Sequence, residues 1–200
     1  MKLNKRTILS FFLIAMFLGS TLISLGDMFW GGNKKMDTIV VLVTSMGNIE
    51  IGLATKEAPV TTGNFLSYVE ADFFDGTVFH RVIPGFMIQG GGFTPDGTQK
   101  TTGDSIVLES DNGLKNKRGT IAMARTSDPN SATSQFFINL VDNAFLDKNS
   151  GSDGYAVFGE VVEGLDVVDA IGGVNTTTKG LYEDWPEEDV VILGAYVKES

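Results

Sequence analysis

Short apolar segments, separated by glycine, aspartate and asparagine, recur along most of the chain. Residues 38–44 form a continuous run rich in β-branched side chains, and residues 49–54 follow a glycine–asparagine pair, so the pattern predicts two strands joined by a turn. Further short strands are predicted at VFHRVI, FMIQ, SIVL, TIAMA, QFFINL, YAVFGEVV and residues 190–197. Closure of a sheet removes its exposed edges, so this many short strands favour a closed barrel.

Two segments show helical spacing instead. Pro59 opens the first, in which side chains recur at near-helical intervals: Val60, Asn64, Phe65, Tyr68 and Val69. The second covers residues 164–171, with apolar side chains three positions apart at Leu165, Val168 and Ile171. Asn175-Thr176-Thr177 fits a glycosylation acceptor pattern, but we interpret it as a plain loop. The pattern therefore predicts one β-dominated domain with two helices.

The N-terminal segment differs in character from the rest. Lys2, Lys5 and Arg6 precede an uncharged stretch, residues 7–26, which is about as long as the roughly 20 residues that a membrane-spanning helix needs. This pattern predicts an apolar helix that acts as an uncleaved signal-anchor, with a cleaved signal peptide and a buried soluble helix as alternatives. Phe29 and Trp30 follow where interfacial aromatic residues would lie on an anchored helix.

The predicted organisation is a signal-anchor or signal peptide at residues 1–30, a linker at 31–36 and a domain at 37–200. The positive-inside rule places that domain outside the cytoplasm, so we expect a periplasmic or extracytoplasmic protein. In the favoured case residues 7–26 anchor it to the inner membrane; in the alternative it is soluble after signal cleavage.

Composition narrows the chemistry. The formal net charge of −10 repels phosphates, so nucleic acid is not an expected partner. With no cysteine and a single histidine, the chain has no thiolate nucleophile and no multi-histidine metal site, and we expect neither a metal nor a cofactor. The histidine, His80, lies in a strand-like run, and we interpret it as a structural, hydrogen-bonded residue rather than a general base.

An arginine and two amides stand out among apolar side chains. Period-2 alternation places Arg81 on one strand face with Phe79 and Ile83, and Gln89 follows in the next apolar segment. A second apolar block carries Gln135. Guanidinium and amide groups satisfy peptide backbone groups, whereas aromatic and thioether side chains accept an apolar ring, so this combination indicates peptide binding.

The blocks FHRVIPGFMIQGGG, at residues 79–92, and MARTSDPNSATSQFFINL, at residues 123–140, resemble the two signature blocks of the cyclophilin family. AFLD at 144–147 and YAVFGEV at 155–161 agree as well, and the resemblance extends over residues 38–197, with bacterial periplasmic members most similar. It implies a closed eight-stranded antiparallel β-barrel capped by two α-helices. It also implies a peptidyl-prolyl cis–trans isomerase that acts on proline-containing polypeptides without a cofactor. Nothing beyond the anchor suggests self-association, so we expect a monomer.

The same resemblance implies the site. It assigns catalytic roles to Arg81, Gln89 and Phe86, and substrate contacts to Met87, Ala124, Arg125, Gln135, Phe137, Phe145, Leu146 and Tyr155. Many eukaryotic members have tryptophan at the position of Phe145 and histidine at that of Tyr155, so we expect weak cyclosporin binding. A binding or chaperone module in which turnover matters little is the alternative function.

Overall fold

The fold comes from a computed structural model that describes residues 38–199. Ten strands are present: β1 Ile39–Thr44, β2 Gly47–Leu53, β3 Arg81–Ile83, β4 Met87–Gly90, β5 Thr120–Met123, β6 Phe136–Asn139, β7 Val157–Glu163, β8 Thr176–Lys179, β9 Tyr182–Pro186 and β10 Ile192–Val197. In the same described range two helices accompany them, α1 Pro59–Glu70 and α2 Leu165–Gly172, with a single 3₁₀ turn at Ala144–Leu146. The prediction of a β-dominated domain with two helices is therefore confirmed.

Eight strands form one curled antiparallel sheet in the order β10-β1-β2-β7-β5-β6-β4-β3. The edge strands β10 and β3 do not pair with each other in a ladder, so the sheet is open where a closed barrel was expected. The two edges meet only through a single bridge between Val78 and Val191, beside hydrogen bonds from Phe79 N to Val190 O and from Ile192 N to Thr77 O. Residues 79 and 80 separate Val78 from β3, which is three residues long. The pairing does not extend along β3.

The concave face of the sheet holds the main core. Phe65 of α1 packs against three further phenylalanines, with ring centroids 5.1 Å from Phe74, 5.7 Å from Phe136 and 5.1 Å from Phe158. Alternation explains why strand residues such as Ile88 point to this side while their neighbours in sequence point outward. The helix thus closes one end of the curled sheet through an aromatic cluster.

The first predicted turn lies two residues earlier than expected. The chain reverses at Ser45 and Met46, and Gly47 already pairs with Thr44 in the ladder. The Thr44 hydroxyl explains this position, because it donates to Gly47 O at 2.6 Å and accepts from Met46 N at 3.1 Å. The predicted SIVL strand forms only one bridge, between Ile106 and Ala132.

A hairpin of β8 and β9 was not predicted, and the loop interpretation of residues 175–177 is wrong for Thr176 and Thr177, which lie in β8. The hairpin is stabilised by burial of Trp185, which is 1% exposed. Residues 1–37, with the predicted N-terminal apolar helix and linker, lie outside the described residues. Within residues 38–199 no helix is long and apolar enough to span a bilayer.

Candidate active site

The outward face of strands β3, β4, β6 and β5 brings the predicted residues together. Strand register pairs Arg81 with Gln89, Gln89 with Phe137, and Phe137 with Ala122. Directly opposed residues in antiparallel strands project to the same face, so these four form one row across the sheet. Met87, Ala122, Phe137 and Val157 form a second apolar cluster, separate from the main core.

A cavity of about 160 Å³ opens on this face. Nine of the eleven predicted site residues line it: Arg81, Phe86, Met87, Gln89, Ala124, Arg125, Phe137, Leu146 and Tyr155. Two larger depressions lie elsewhere on the domain, one beside an acidic segment at residues 187–189 and one beside Lys115 and Lys117. Volume alone would favour those, but only the smaller cavity combines a guanidinium and an amide with an apolar floor.

Aromatic contacts shape the floor and the rim. Met87 and Phe137 are almost fully buried, at 2% and 4% exposure. The ring of Tyr155 meets that of Phe137 edge to face, at 5.6 Å and 81°. Phe86 stacks on Phe145 with ring centroids 5.6 Å apart, and Phe145 is 67% exposed. The floor is therefore dry and rigid, whereas the rim presents an aromatic ring to solvent.

The two predicted glutamines interact with each other. Gln89 Nε2 donates to Gln135 Oε1 at 2.9 Å. Gln135 packs against the backbone of Gly92, where an added Cβ would lie 2.6 Å from Gln135 Cγ. A glycine at this position therefore leaves the space that the Gln135 side chain occupies.

Arg125 lies at the far edge of the cavity and is held by backbone carbonyls. Its Nε and Nη2 donate to Gly154 O at 3.1 and 2.8 Å, and Nη1 donates to Thr126 O at 2.9 Å. The guanidinium carbon lies 4.7 Å from the centre of the Tyr155 ring. Arg125 thus connects the loop before Tyr155 to the segment directly after β5, which carries Ala124.

His80 lies directly beside the site but is buried. It is 5% exposed, and its ring centroid is 4.6 Å from that of Phe93 and 6.1 Å from that of Trp185. Burial, and to a smaller extent the positive charge of Arg81, lower the pKa of His80 to about 4. The histidine is therefore neutral near pH 7, as a structural residue would be, although its Nδ1 has no hydrogen-bond partner within residues 38–199.

Sequence reasoning missed one charged neighbour of the site. Asp184 Oδ2 on β9 lies 3.8 Å from Arg81 Nε. Gly180, flanked by Lys179 and Leu181, is a turn signal that could have revealed the hairpin, but the nearness of Asp184 to Arg81 depends on tertiary packing.

The domain combines, in this outer cavity of a curled antiparallel sheet, amide and guanidinium donors with an apolar floor, the group types that suit binding of a peptide segment. Comparison with known proteins identifies its family. Residues 39–197 match the family model described as cyclophilin type peptidyl-prolyl cis-trans isomerase/CLD, and the chain belongs to that family. It is accordingly a peptidyl-prolyl cis–trans isomerase.

Individual relatives agree with this assignment. The chain is 55% identical over 160 residues to peptidyl-prolyl cis-trans isomerase A of Dickeya dadantii, covering 80% of this chain and 84% of the relative. It is 53% identical over 164 residues to peptidyl-prolyl cis-trans isomerase B of Escherichia coli, and the match covers 80% of this chain and 100% of that relative. A crystal structure of a Cryptosporidium parvum cyclophilin type peptidyl-prolyl cis-trans isomerase, obtained in the presence of the dipeptide Ala-Pro, is similar with a TM-score of 0.71. Its sequence identity is 27%, and the match covers 81% of this chain and 99% of that one.

Proposed function

We propose that this isomerase binds the proline ring in the outer cavity and that Arg81 assists rotation of the preceding imide bond. Phe86, Met87, Phe137 and Leu146 form the apolar pocket for the ring. The observation that carries the proposal is the shared row on which Arg81 and Gln89 lie beside the buried ring of Phe137. Gln89 and Gln135 flank the pocket, where they can bind the substrate backbone.

The reaction requires neither a nucleophile nor a metal. Resonance between the imide nitrogen and the carbonyl gives a rotation barrier of about 18–20 kcal/mol, and uncatalysed isomerisation takes roughly tens to hundreds of seconds. Hydrogen bonds that are stronger in the twisted amide than in the planar one lower this barrier. Arg81 can donate such bonds either to the pyramidal nitrogen or to the substrate carbonyl, and both forms of assistance act only in the transition state.

The required energy is moderate. Shortening a process of about 100 s to about 10 ms corresponds to roughly four decades in rate, or about 5–6 kcal/mol. One preorganised donor in a water-excluded site contributes about 3–4 kcal/mol in other enzymes. A dry floor that holds the ring and fixes the orientation of the bond supplies a plausible remainder.

The decisive experiment compares isomerisation of a short Ala-Pro peptide by the native protein and by Arg81→Ala. We expect kcat/KM to fall at least about a hundredfold in the variant, the usual cost of losing one transition-state donor. Arg118→Ala is the matched control, since Arg118 pairs with Asp169 at 2.6 Å and lies outside the cavity. Arg81→Lys should also lose most activity, because a point charge cannot reproduce the planar fork of the guanidinium.

Peptide affinity separates the two classes of function. In an isomerase, Arg81→Ala lowers turnover at least about a hundredfold while the apolar floor still binds a proline peptide with nearly unchanged affinity in calorimetry. Full turnover in Arg81→Ala would show that the proposed role of Arg81 is wrong. A folded native protein that binds the peptide but does not accelerate isomerisation would support the binding or chaperone module instead.

A further part of the proposal concerns location. The charge and apolar pattern of residues 1–30 supports export, so we propose that the enzyme assists folding of exported proteins while anchored through residues 7–26. Fractionation of cells that produce the full chain with a C-terminal epitope tests this. Recovery in the membrane fraction, with the epitope on the outer side, is expected; recovery in the cytoplasm would refute it.

A further inference from the structure

The β8–β9 hairpin packs against β3, the strand that carries Arg81. Aromatic contacts hold it there, because the buried Trp185 ring lies 6.3 Å from Phe93 and 6.1 Å from His80. Tyr182, at the start of β9, adds an edge contact to Phe93 at 4.9 Å. The hairpin is thus fixed relative to the catalytic strand by side chains that are distinct from the cavity.

Asp184 precedes the buried tryptophan and reaches Arg81. Its φ of 59° lies in the left-handed region, which aspartate and asparagine tolerate better than most residues. Its Oδ2 lies 3.8 Å from Arg81 Nε, and the two side chains are 39% and 43% exposed. No other ion pair of Arg81 occurs within residues 38–199.

We propose that Asp184 is a positioning residue for Arg81, an inference that rests on the proposed catalytic role of Arg81. The carboxylate faces the Nε edge of the guanidinium, so the four N–H bonds on Nη1 and Nη2 remain available to the substrate imide. Arginine is long and flexible, and a charge at one edge of its plane restricts the orientations that it can adopt. Fewer unproductive orientations raise kcat, since the useful hydrogen bonds form only with the twisted amide.

The neighbouring glutamine does not replace this interaction. Gln89 lies opposite Arg81 in the ladder, but within residues 38–199 its Oε1 accepts no hydrogen bond from Arg81, and its amide nitrogen donates to Gln135. A half-exposed ion pair contributes little to folding. Loss of the Asp184 charge should therefore alter the orientation of Arg81 without a large change in stability.

Asp184→Asn is the informative variant, because asparagine keeps the shape and the left-handed backbone while removing the charge. In Ala-Pro peptide isomerisation we expect kcat to fall about three- to fivefold, as the strength of exposed ion pairs suggests, with KM nearly unchanged. Asp184→Glu should restore part of the loss. Glu183→Gln is the matched control, because Glu183 is an exposed neighbour on the same strand, and both of its kinetic constants should equal those of the native protein.

A double-mutant cycle distinguishes positioning from a general structural effect. In the Arg81→Ala background, Asp184→Asn should cause no further loss. An unchanged kcat in Asp184→Asn, or an equal fall in both backgrounds, would overturn the positioning role. If Arg81→Ala itself retains full turnover, the proposed mechanism fails first. If Arg81→Ala is inactive while Asp184→Asn is fully active, only the role of Asp184 is refuted.

Discussion

Acidification should destabilise this domain through His80, the single histidine of the chain. Its pKa is lowered from 6.5 to about 4, first by burial and then by the charge of Arg81. Between these two values the unfolded chain binds a proton that the folded chain does not, so the free energy of unfolding falls as pH falls. The loss begins near the unfolded pKa and is complete below about pH 4.

The magnitude follows from the shift. The fall in the pKa of His80 from 6.5 to about 4 corresponds to roughly 3 kcal/mol of unfolding free energy for the complete titration, and about 2 kcal/mol of this is lost between about pH 7.5 and about pH 5. The cause lies in the packing, because the imidazole is enclosed by Phe93 and Trp185 and cannot hydrate its charged form.

Urea unfolding of the native protein and of His80→Gln at the two pH values measures this contribution. Carboxylates titrate similarly in both proteins, so the native protein should lose about 2 kcal/mol more than the variant. Since there is one histidine, its NMR resonance can also be followed without assignment ambiguity in an untagged protein. A resonance midpoint near 6.5, or parallel stability profiles for the two proteins, would refute the reasoning.

Three further variants test other parts of the structure. Phe145→Trp should strengthen cyclosporin binding, which we expect to be weak in the native protein, because a larger ring then covers the exposed rim; unchanged affinity in calorimetry would contradict this. Gly92→Ala should raise KM, because the added Cβ would lie 2.6 Å from Gln135 Cγ and displace that side chain. Steady-state kinetics measures KM, and a thermal melt checks that the variant is folded. Glu109→Gln should lower the free energy of unfolding by about 1–2 kcal/mol, since Glu109 accepts from Thr61 N and Oγ1, both at 2.7 Å, at the start of α1. An unchanged urea midpoint would rule out this capping role.

Local alternation predicted the face that Arg81 occupies, but not which strands are neighbours. Period 2 in the sequence places Phe79, Arg81 and Ile83 on one face. The structure agrees for Arg81 and Ile83, but the prediction is wrong for Phe79, which precedes β3 and packs in the main core. Gln89 meets Phe137 across the ladder although the two are far apart in the chain, and no local pattern encodes that pairing. Only the likeness of two complete sequence blocks to the cyclophilin family placed these residues in one site.

The β8–β9 hairpin shows where local signals fail. Its strands carry polar residues on both faces, so they lack the apolar alternation that predicted the others. What holds the hairpin is Trp185, buried against Phe93, an interaction between distant segments. The prediction of a closed barrel was wrong for a related reason. Protection of sheet edges favours closure, but here the β3 edge has one bridge, at Val78, and the β8–β9 hairpin packs against it.

The same hairpin connects stability to catalysis. His80 and Arg81 are adjacent in sequence and face opposite sides of their segment: the imidazole packs into the aromatic contacts that hold the hairpin, whereas the guanidinium lines the cavity. Asp184 and Trp185 also point to opposite sides: Asp184 lies near Arg81, and Trp185 packs in the buried cluster with Val78 and Phe93. A reaction that breaks no covalent bond depends on the orientation of a few donors. We therefore expect the aromatic cluster beneath β3 to affect the rate, because it fixes the surfaces from which those donors project.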